Sequence, residues 1–185
     1  GRRRKQWNRN CLALGLASGF LEPLESTSIH LIQQGIVRFL RMFPEAGVVQ
    51  EDINEFNKQA DFDIEHIRDF IVLHYALNER NGDPFWDHCR NMDLPETLKH
   101  RMELFEQSGR VFKPQDDVFA ENSWVQVMMG QGLIPKSYHN IAQAMTDTQM
   151  QEFLSSIQKD VSATVSKLPR HGAFIQTLIQ HAEAG

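Results

Sequence analysis

NCLALGLASGFLEPLESTSIHLIQQG, residues Asn10–Gly35, decides how the chain is read. It opens on Cys11-Leu12-Ala13-Leu14-Gly15-Leu16-Ala17, a near-continuous apolar run. Bounded by the turn residues Gly19 and Pro23, such a run predicts a buried strand that leaves into a loop. Pro23 disfavours early helix, so Leu21–Ser26 is a connection. A helix follows, because Ile29, Ile32, Ile36, Phe39 and Phe43 recur at spacings of three and four and share one face. Ser26 or Thr27 is placed to cap that helix, and Pro44 stops it. The Ile/Phe stripe predicts core packing.

Working outward, the same period returns between Asp52 and Asn78, in Ile53, Phe56, Ala60, Ile64, Ile67 and Ile71. That predicts one long helix, or two with a break near Asp61–Asp63. Asn81-Gly82-Asp83-Pro84 is a turn cluster. Pro95–Gln107 reads as a helix with Pro near its first turn. Asp117–Met129 reads as another, ended by Gly130 and Gly132 before Pro135 turns the chain. Thr146 and Gln149 have capping-box spacing. Met150, Phe153, Leu154, Ile157, Val161, Val165 and Leu168 then make an apolar face that Pro169 ends. Phe174, Ile175, Leu178, Ile179 and Ala182 make a terminal amphipathic helix. The fold class is therefore mainly α, with a short strand near the N-terminus. A lone strand leaves its N–H and C=O groups unpaired. We therefore expect sheet partners in an upstream part, in keeping with a first residue that is Gly and not Met.

Composition narrows the function classes. The chain has 185 residues, of which 41% are hydrophobic and 23% charged, as in ordinary soluble domains. Its net charge of −5 argues against a general nucleic-acid binder, which is normally basic. Arg2-Arg3-Arg4-Lys5 reads as a solvated surface segment. Cys11 and Cys89 lack CxxC or Cys/His ligand spacing, so neither a disulfide framework nor a zinc site is supported. They read as small apolar residues in a reducing compartment, which makes the expected localisation cytoplasmic. No apolar run approaches the roughly 18 to 20 residues that span a bilayer, so no membrane partner is expected. No signal peptide is recognisable. His66 and His74, eight apart on one predicted helix, could share a face, but no carboxylate joins them at metal spacing. No metal site is assigned. His30 reads as a hydrogen-bonded residue one turn into its helix.

The chemistry sits in the opening stretch. Gly15, Ala17, Ser18 and Gly19 let a flat ligand or another backbone approach closely. The helix after Ser26 offers open N–H groups and the positive end of its dipole, an anion site. Glu25 precedes it directly. On spacing alone Glu25 reads as a capping carboxylate, Glu22 as structural or solvent-facing, and Ser26, Thr27 and Ser28 as ordinary caps.

Phe20-Leu21-Glu22-Pro23-Leu24-Glu25-Ser26-Thr27 resembles the signature of the flavin-dependent tryptophan halogenases. Ile67-Arg68-Asp69-Phe70-Ile71-Val72-Leu73-His74-Tyr75, Pro84-Phe85-Trp86 and Ser123–Gly132 are similar to further segments of that family. The resemblance runs from about Trp7 to about His139. It implies the C-terminal portion of an α/β FAD-dependent halogenase: residues 1–26 would end the flavin-binding sheet and form the halide and catalytic loop. Residues 27–185 would be a helical, substrate-side region, with the N-terminal FAD-binding domain absent from this chain. The implied reaction uses reduced FAD, oxygen and halide (chloride or bromide). Hypohalous acid then reaches an electron-rich aromatic substrate, tryptophan or indole-like, and a flavin reductase supplies the reduced flavin. Residue by residue, Glu25 matches the glutamate that works beside an upstream lysine, and Ser26 a serine between it and the flavin side. Thr27 and Ser28 match positions whose backbone N–H groups hold halide; many members have Gly where this chain has Ser28. Leu16 and Ile29 match positions whose backbone touches the flavin ring.

The sequence also departs from the family pattern. No G-x-G-x-x-G fingerprint is present, and no lysine here matches the catalytic one. The stretch Asp116–Asn122 is poor in the Trp and Tyr that would clamp free tryptophan, which favours an indole-accepting branch. Two other classes stay open: an FAD-dependent aromatic monooxygenase, and a non-catalytic helical interaction module. The isolated chain is expected to be inactive. Its oligomeric state is open, a homodimer included.

Overall fold

Residues 50–76 organise the molecule. In the computed structural model, which describes residues 1–114 and 117–183, they form one unbroken helix. Element order is β1 (Trp7–Asn8), β2 (Cys11–Leu12), a 3-10 turn (Gly15–Ala17), then α1 (Thr27–Arg41), α2 (Gln50–Ala76), α3 (Pro84–Asn91), α4 (Glu96–Ser108) and α5 (Glu121–Gly130). A second 3-10 turn (Asn140–Ala144), α6 (Asp147–Lys167) and α7 (His171–Glu183) complete the described chain. The mainly α fold class with a short N-terminal strand is what the sequence predicts. The chain divides into two units, Gly1–Tyr138 and His139–Gly185.

Helix α2 has no break near Asp61–Asp63, because its apolar positions hold phase. Ile53, Phe56, Ala60, Ile64, Ile67 and Ile71 are all buried. Helix α2 contributes to two clusters. Near the start of α2, Ile53, Phe56 and Ala60 pack with Trp7, flanked by Phe39 and Met42. The Trp7 indole sits edge-on to Phe39 and Phe56, at 5.4 and 5.6 Å between ring centroids. Near its end, Phe70 and Leu73 pack with Leu98, Phe105, Trp124 and Met128 from α4 and α5. Fully burying one such side chain contributes about 1.5–3 kcal/mol.

Four features of the first unit differ from the sequence reading. The apolar run Cys11–Ala17 is not a buried strand. Only Cys11–Leu12 is extended, paired antiparallel to Trp7–Asn8. Gly15, at φ +60°, turns the chain out of the extended region into the 3-10 turn, a conformation a Cβ would oppose. The stripe on α1 is only partly core: Phe39 packs on Trp7, while Ile29, Ile36 and Phe43 are exposed. Helix α3 forms where only a turn was read. Pro84 takes its first position and the Asp83 carboxylate accepts the Phe85 N–H at 2.9 Å. Helix α5 starts at Glu121, not Asp117, because the Asp117 carboxylate accepts the Phe119 N–H in a local turn. Asp116, the first residue of the Asp116–Asn122 reading, lies outside the described residues.

The second unit has the predicted capping box, with Thr146 and Gln149 bonded reciprocally. Its two helices form as the periodicity predicts, but Phe153, Leu154, Ile157, Val161, Val165 and Leu168 are exposed on α6, as are Phe174, Ile175, Leu178 and Ile179 on α7.

Asn57 fixes the N-terminal arm to α2. Its side chain accepts the N–H groups of Gln6 and Trp7 and donates to the Trp7 carbonyl, all within 3.0 Å. Asn57→Ala leaves three backbone groups beside a buried Trp unpaired. Stability should fall by about 2–4 kcal/mol, summing modest bond energies and desolvation. The readout is the urea midpoint followed by tryptophan fluorescence, and an unchanged midpoint would refute this role for Asn57.

Candidate functional site

The connection from α1 back to the 3-10 turn carries most of the predicted site residues. Ser26 sits at the N-cap position of α1, yet its backbone is left-handed (φ +54°, ψ +30°) and its side chain makes no capping bond. A capping serine normally has extended torsions that aim Oγ at the first-turn N–H groups. The expected cap by Ser26 or Thr27 is therefore absent. Thr27 is the first helical residue; its hydroxyl is buried and has no protein partner among the described residues. The first-turn N–H groups, which no helix satisfies internally, are left uncapped by any side chain.

Glu25 does not cap α1 either. Its carboxylate points to α2, with Oε1 3.4 Å from His74 Nε2. Glu25 keeps 37% of its side-chain exposure and His74 keeps 18%. The other ring nitrogen, His74 Nδ1, lies 2.7 Å from the Phe70 carbonyl. His66, eight residues earlier, contacts the Phe62 carbonyl at 2.9 Å in the same way but has no carboxylate contact.

Glu22 is structural, as one of the two sequence readings has it. The Tyr75 hydroxyl donates to its carboxylate, at 2.6 and 2.5 Å from the two oxygens. Tyr75 in turn stacks on Trp86 at 5.7 Å and 14°, which locks α3 against the end of α2. Arg80 covers the Trp86 ring at 4.4 Å. Two consecutive residues of α2, His74 and Tyr75, thus each hold one of the two glutamates of the connecting loop. In the sequence, His74 reads as a metal-ligand candidate that no carboxylate joins and, with Tyr75, as part of a family segment. Their adjacency in the last turns of α2 was the available signal, but nothing local tells which loop carboxylate each would meet.

Leu16 and Ser28 line one small cavity of about 30 Å³, together with Gly15, Ile32, Arg38 and Asp63. Leu16 and Ile29 both stand outward, 74% and 69% exposed. The structure thus groups Glu25, Ser26, Thr27 and Ser28 at one corner, with Leu16 reaching it from the 3-10 turn. No cluster of three metal-ligating side chains occurs among the described residues.

The Tyr75 phenol is pushed up to about 12, first by its hydrogen bond to Glu22, then by burial, then by the Glu22 charge. A raised phenol contributes its stabilisation in full below the ordinary tyrosine range of about 10 and loses it as pH climbs through the folded value. In an alkaline absorbance titration, Tyr75 should ionise above the ordinary tyrosine range of about 10. Glu22→Gln should bring its titration down toward that range; a Tyr75 titration that Glu22→Gln leaves unmoved would refute the bond.

Comparison with known proteins gives the family. The family model described as tryptophan halogenase matches residues 1–147. A flavin-dependent halogenase from Xanthomonas campestris superposes with a TM-score of 0.92 at 52% identity, over 95% of this chain and 36% of that one. Another, from Brevundimonas sp. BAL3, superposes with a TM-score of 0.89 at 39% identity, over 96% and 36%. A tryptophan 6-halogenase from Streptomyces toxytricini is 32% identical over 138 residues, 72% of this chain and 26% of its own length. The chain therefore spans about a third of the length of the relatives it matches. No described helix is long and apolar enough to cross a membrane.

Proposed function

This chain belongs to the tryptophan halogenase family, and on that premise we propose that the whole protein is a flavin-dependent halogenase acting on an electron-rich aromatic ring, tryptophan or indole-like. It uses reduced FAD from a separate flavin reductase, with oxygen and chloride or bromide, in the cytoplasm. In this reading residues 1–26 end the flavin-binding sheet and carry the halide and catalytic loop. Residues 27–185 form the substrate-side region, and the FAD-binding domain lies outside this chain.

The observation that carries the proposal is the uncapped start of α1. Left-handed Ser26 gives up its capping bond, the Thr27 hydroxyl is buried without a partner among the described residues, and Glu25 turns away to α2. A helix start left bare in this way suits an anion held by backbone donors. The exposed Leu16 and Ile29 suit contact with a flat ring. These residues fit the flavin and halide the family uses. Bound reduced FAD would activate oxygen, the oxidant that turns halide into an electrophile.

The chain's own residues then have distinct tasks. Backbone N–H groups of Thr27 and Ser28 hold halide by donation along the helix dipole. Ser26 spaces the carboxylate from the flavin side. Glu25, beside the reacting ring, stabilises the positive charge that develops there and accepts the ring proton. A carboxylate suits both tasks because it is anionic and has lone pairs on two oxygens.

The test uses the full-length protein with reduced FAD, air and bromide or chloride, with indole and tryptophan as probes, read by mass spectrometry. Wild type should yield a halogenated product. Glu25→Gln should lower its rate by at least about 100-fold, the scale of losing a positioned general base. Oxygenated product without halide would move the protein to the aromatic monooxygenases. A Glu25→Gln variant as fast as wild type would remove Glu25 from the chemistry.

A further inference from the structure

We propose that His74 is the positioning residue of Glu25, holding its carboxylate toward the ring from which it takes a proton; this rests on the halogenase reading above. A carbonyl oxygen can only accept, so the 2.7 Å contact with Phe70 places a proton on Nδ1 of His74. Nε2 therefore faces Glu25 Oε1 across 3.4 Å. Two lone pairs would repel at that distance. A donor N–H at Nε2 makes this contact an attraction and leaves Glu25 the carboxylate that can accept the ring proton.

Nothing else in the described structure does this work. Glu25 has no other ion pair and no hydrogen bond among the described residues, and it directly precedes a strained left-handed residue, Ser26. Glu22, the other loop carboxylate, is directed instead to the hydroxyl of Tyr75, which donates to it. His74 is itself well held. Its ring meets Phe70 edge-on at 4.9 Å and 85°, and Phe70 belongs to the buried cluster around Leu98, Phe105 and Trp124. The rigidity of that cluster thus reaches Glu25 through one imidazole.

The test compares His74→Phe and His74→Gln in the full-length protein with reduced FAD, bromide and indole. Phenylalanine keeps the ring and removes both nitrogens. The glutamine amide N–H reaches about where Nε2 stands. His74→Phe should lower kcat by about 10- to 100-fold, the scale of a misplaced reacting group, with KM for bromide and indole within about twofold. His74→Gln should recover kcat to within about fivefold of wild type. Equal loss in both variants would assign His74 a packing role only and overturn the proposal. So would a His74→Phe variant that keeps wild-type kcat, or one that raises KM alone. Should His74→Phe fail to fold, His74→Gln decides: a loss beyond about tenfold overturns positioning. A wild type that halogenates while these outcomes fail sinks this inference alone. A wild type that makes no halogenated product sinks the reading beneath it as well.

Discussion

The first unit depends on α2 staying one rigid rod. Its 27 residues span about 40 Å at 1.5 Å per residue. One end is clamped by Trp7, Phe39 and Phe56, the other by Phe70, Leu73, Leu98 and Trp124. A kink between the two clusters would change the register of His74 and Tyr75 relative to the N-terminal arm. Those residues meet the loop between the 3-10 turn and α1, so the loop's two glutamates are positioned by packing far along the same helix. Long-range order here travels through a helix, which resists bending because every interior turn repeats the same hydrogen bonds.

Paired charges set how the other elements sit on that rod. Arg38 of α1 reaches Asp63 of α2, with both side chains nearly buried, and also donates to Gln59. Asp69 of α2 accepts from Arg68 and from Thr97 of α4. Arg101 of α4 pairs with the fully buried side chain of Asp117 and lies over the Trp124 ring at 3.9 Å. Such pairs add little net stability once desolvation is counted, but removing one partner strands a buried charge. They therefore penalise wrong registers more than they strengthen the right one. Apolar packing alone would tolerate a helix sliding by a turn; a buried Asp that must find its Arg does not.

Most of the helical fold was legible because period and breakers act locally. Pro44 and Pro169, the Thr146–Gln149 box and the 3.6-residue period on α2 each carry their own reason in neighbouring residues. The misses share a different cause. The run Cys11–Ala17 is as apolar as a buried strand, and only the torsion of Gly15 shows that it bends. The stripe on α1 has core periodicity, yet Ile29, Ile36 and Phe43 face outward in this chain. Periodicity reports which face is apolar, not what covers it. The stripes of α6 and α7 teach the same point. At the site, the family motif marked Glu25, Ser26, Thr27 and Ser28 from sequence. The partners of the two glutamates were hidden, because the contacts cross about fifty residues: 49 from Glu25 to His74 and 53 from Glu22 to Tyr75.

The backbone at Ser26 explains why that loop is built as it is. A non-glycine residue in the left-handed region costs about 1–2 kcal/mol. An extended Ser26 would be cheaper, and its hydroxyl would cap α1. Glu25, beside the same helix start, would then be drawn to the dipole as one more stabilising anion. Both groups would be spent on holding the helix together. The left-handed turn prevents this. It removes the cap, leaves the first-turn donors without a side-chain cap, and points Glu25 toward His74. Strain of this kind persists only where surrounding contacts over-determine it. Here those contacts are the burial of Thr27 immediately after the turn, the Ser26 N–H bond to the Pro23 carbonyl, and the anchoring of Glu22 by Tyr75. The loop is therefore held from both sides of its strained residue. That arrangement separates the carboxylate from the uncapped donors, which the proposed chemistry needs as two independent groups.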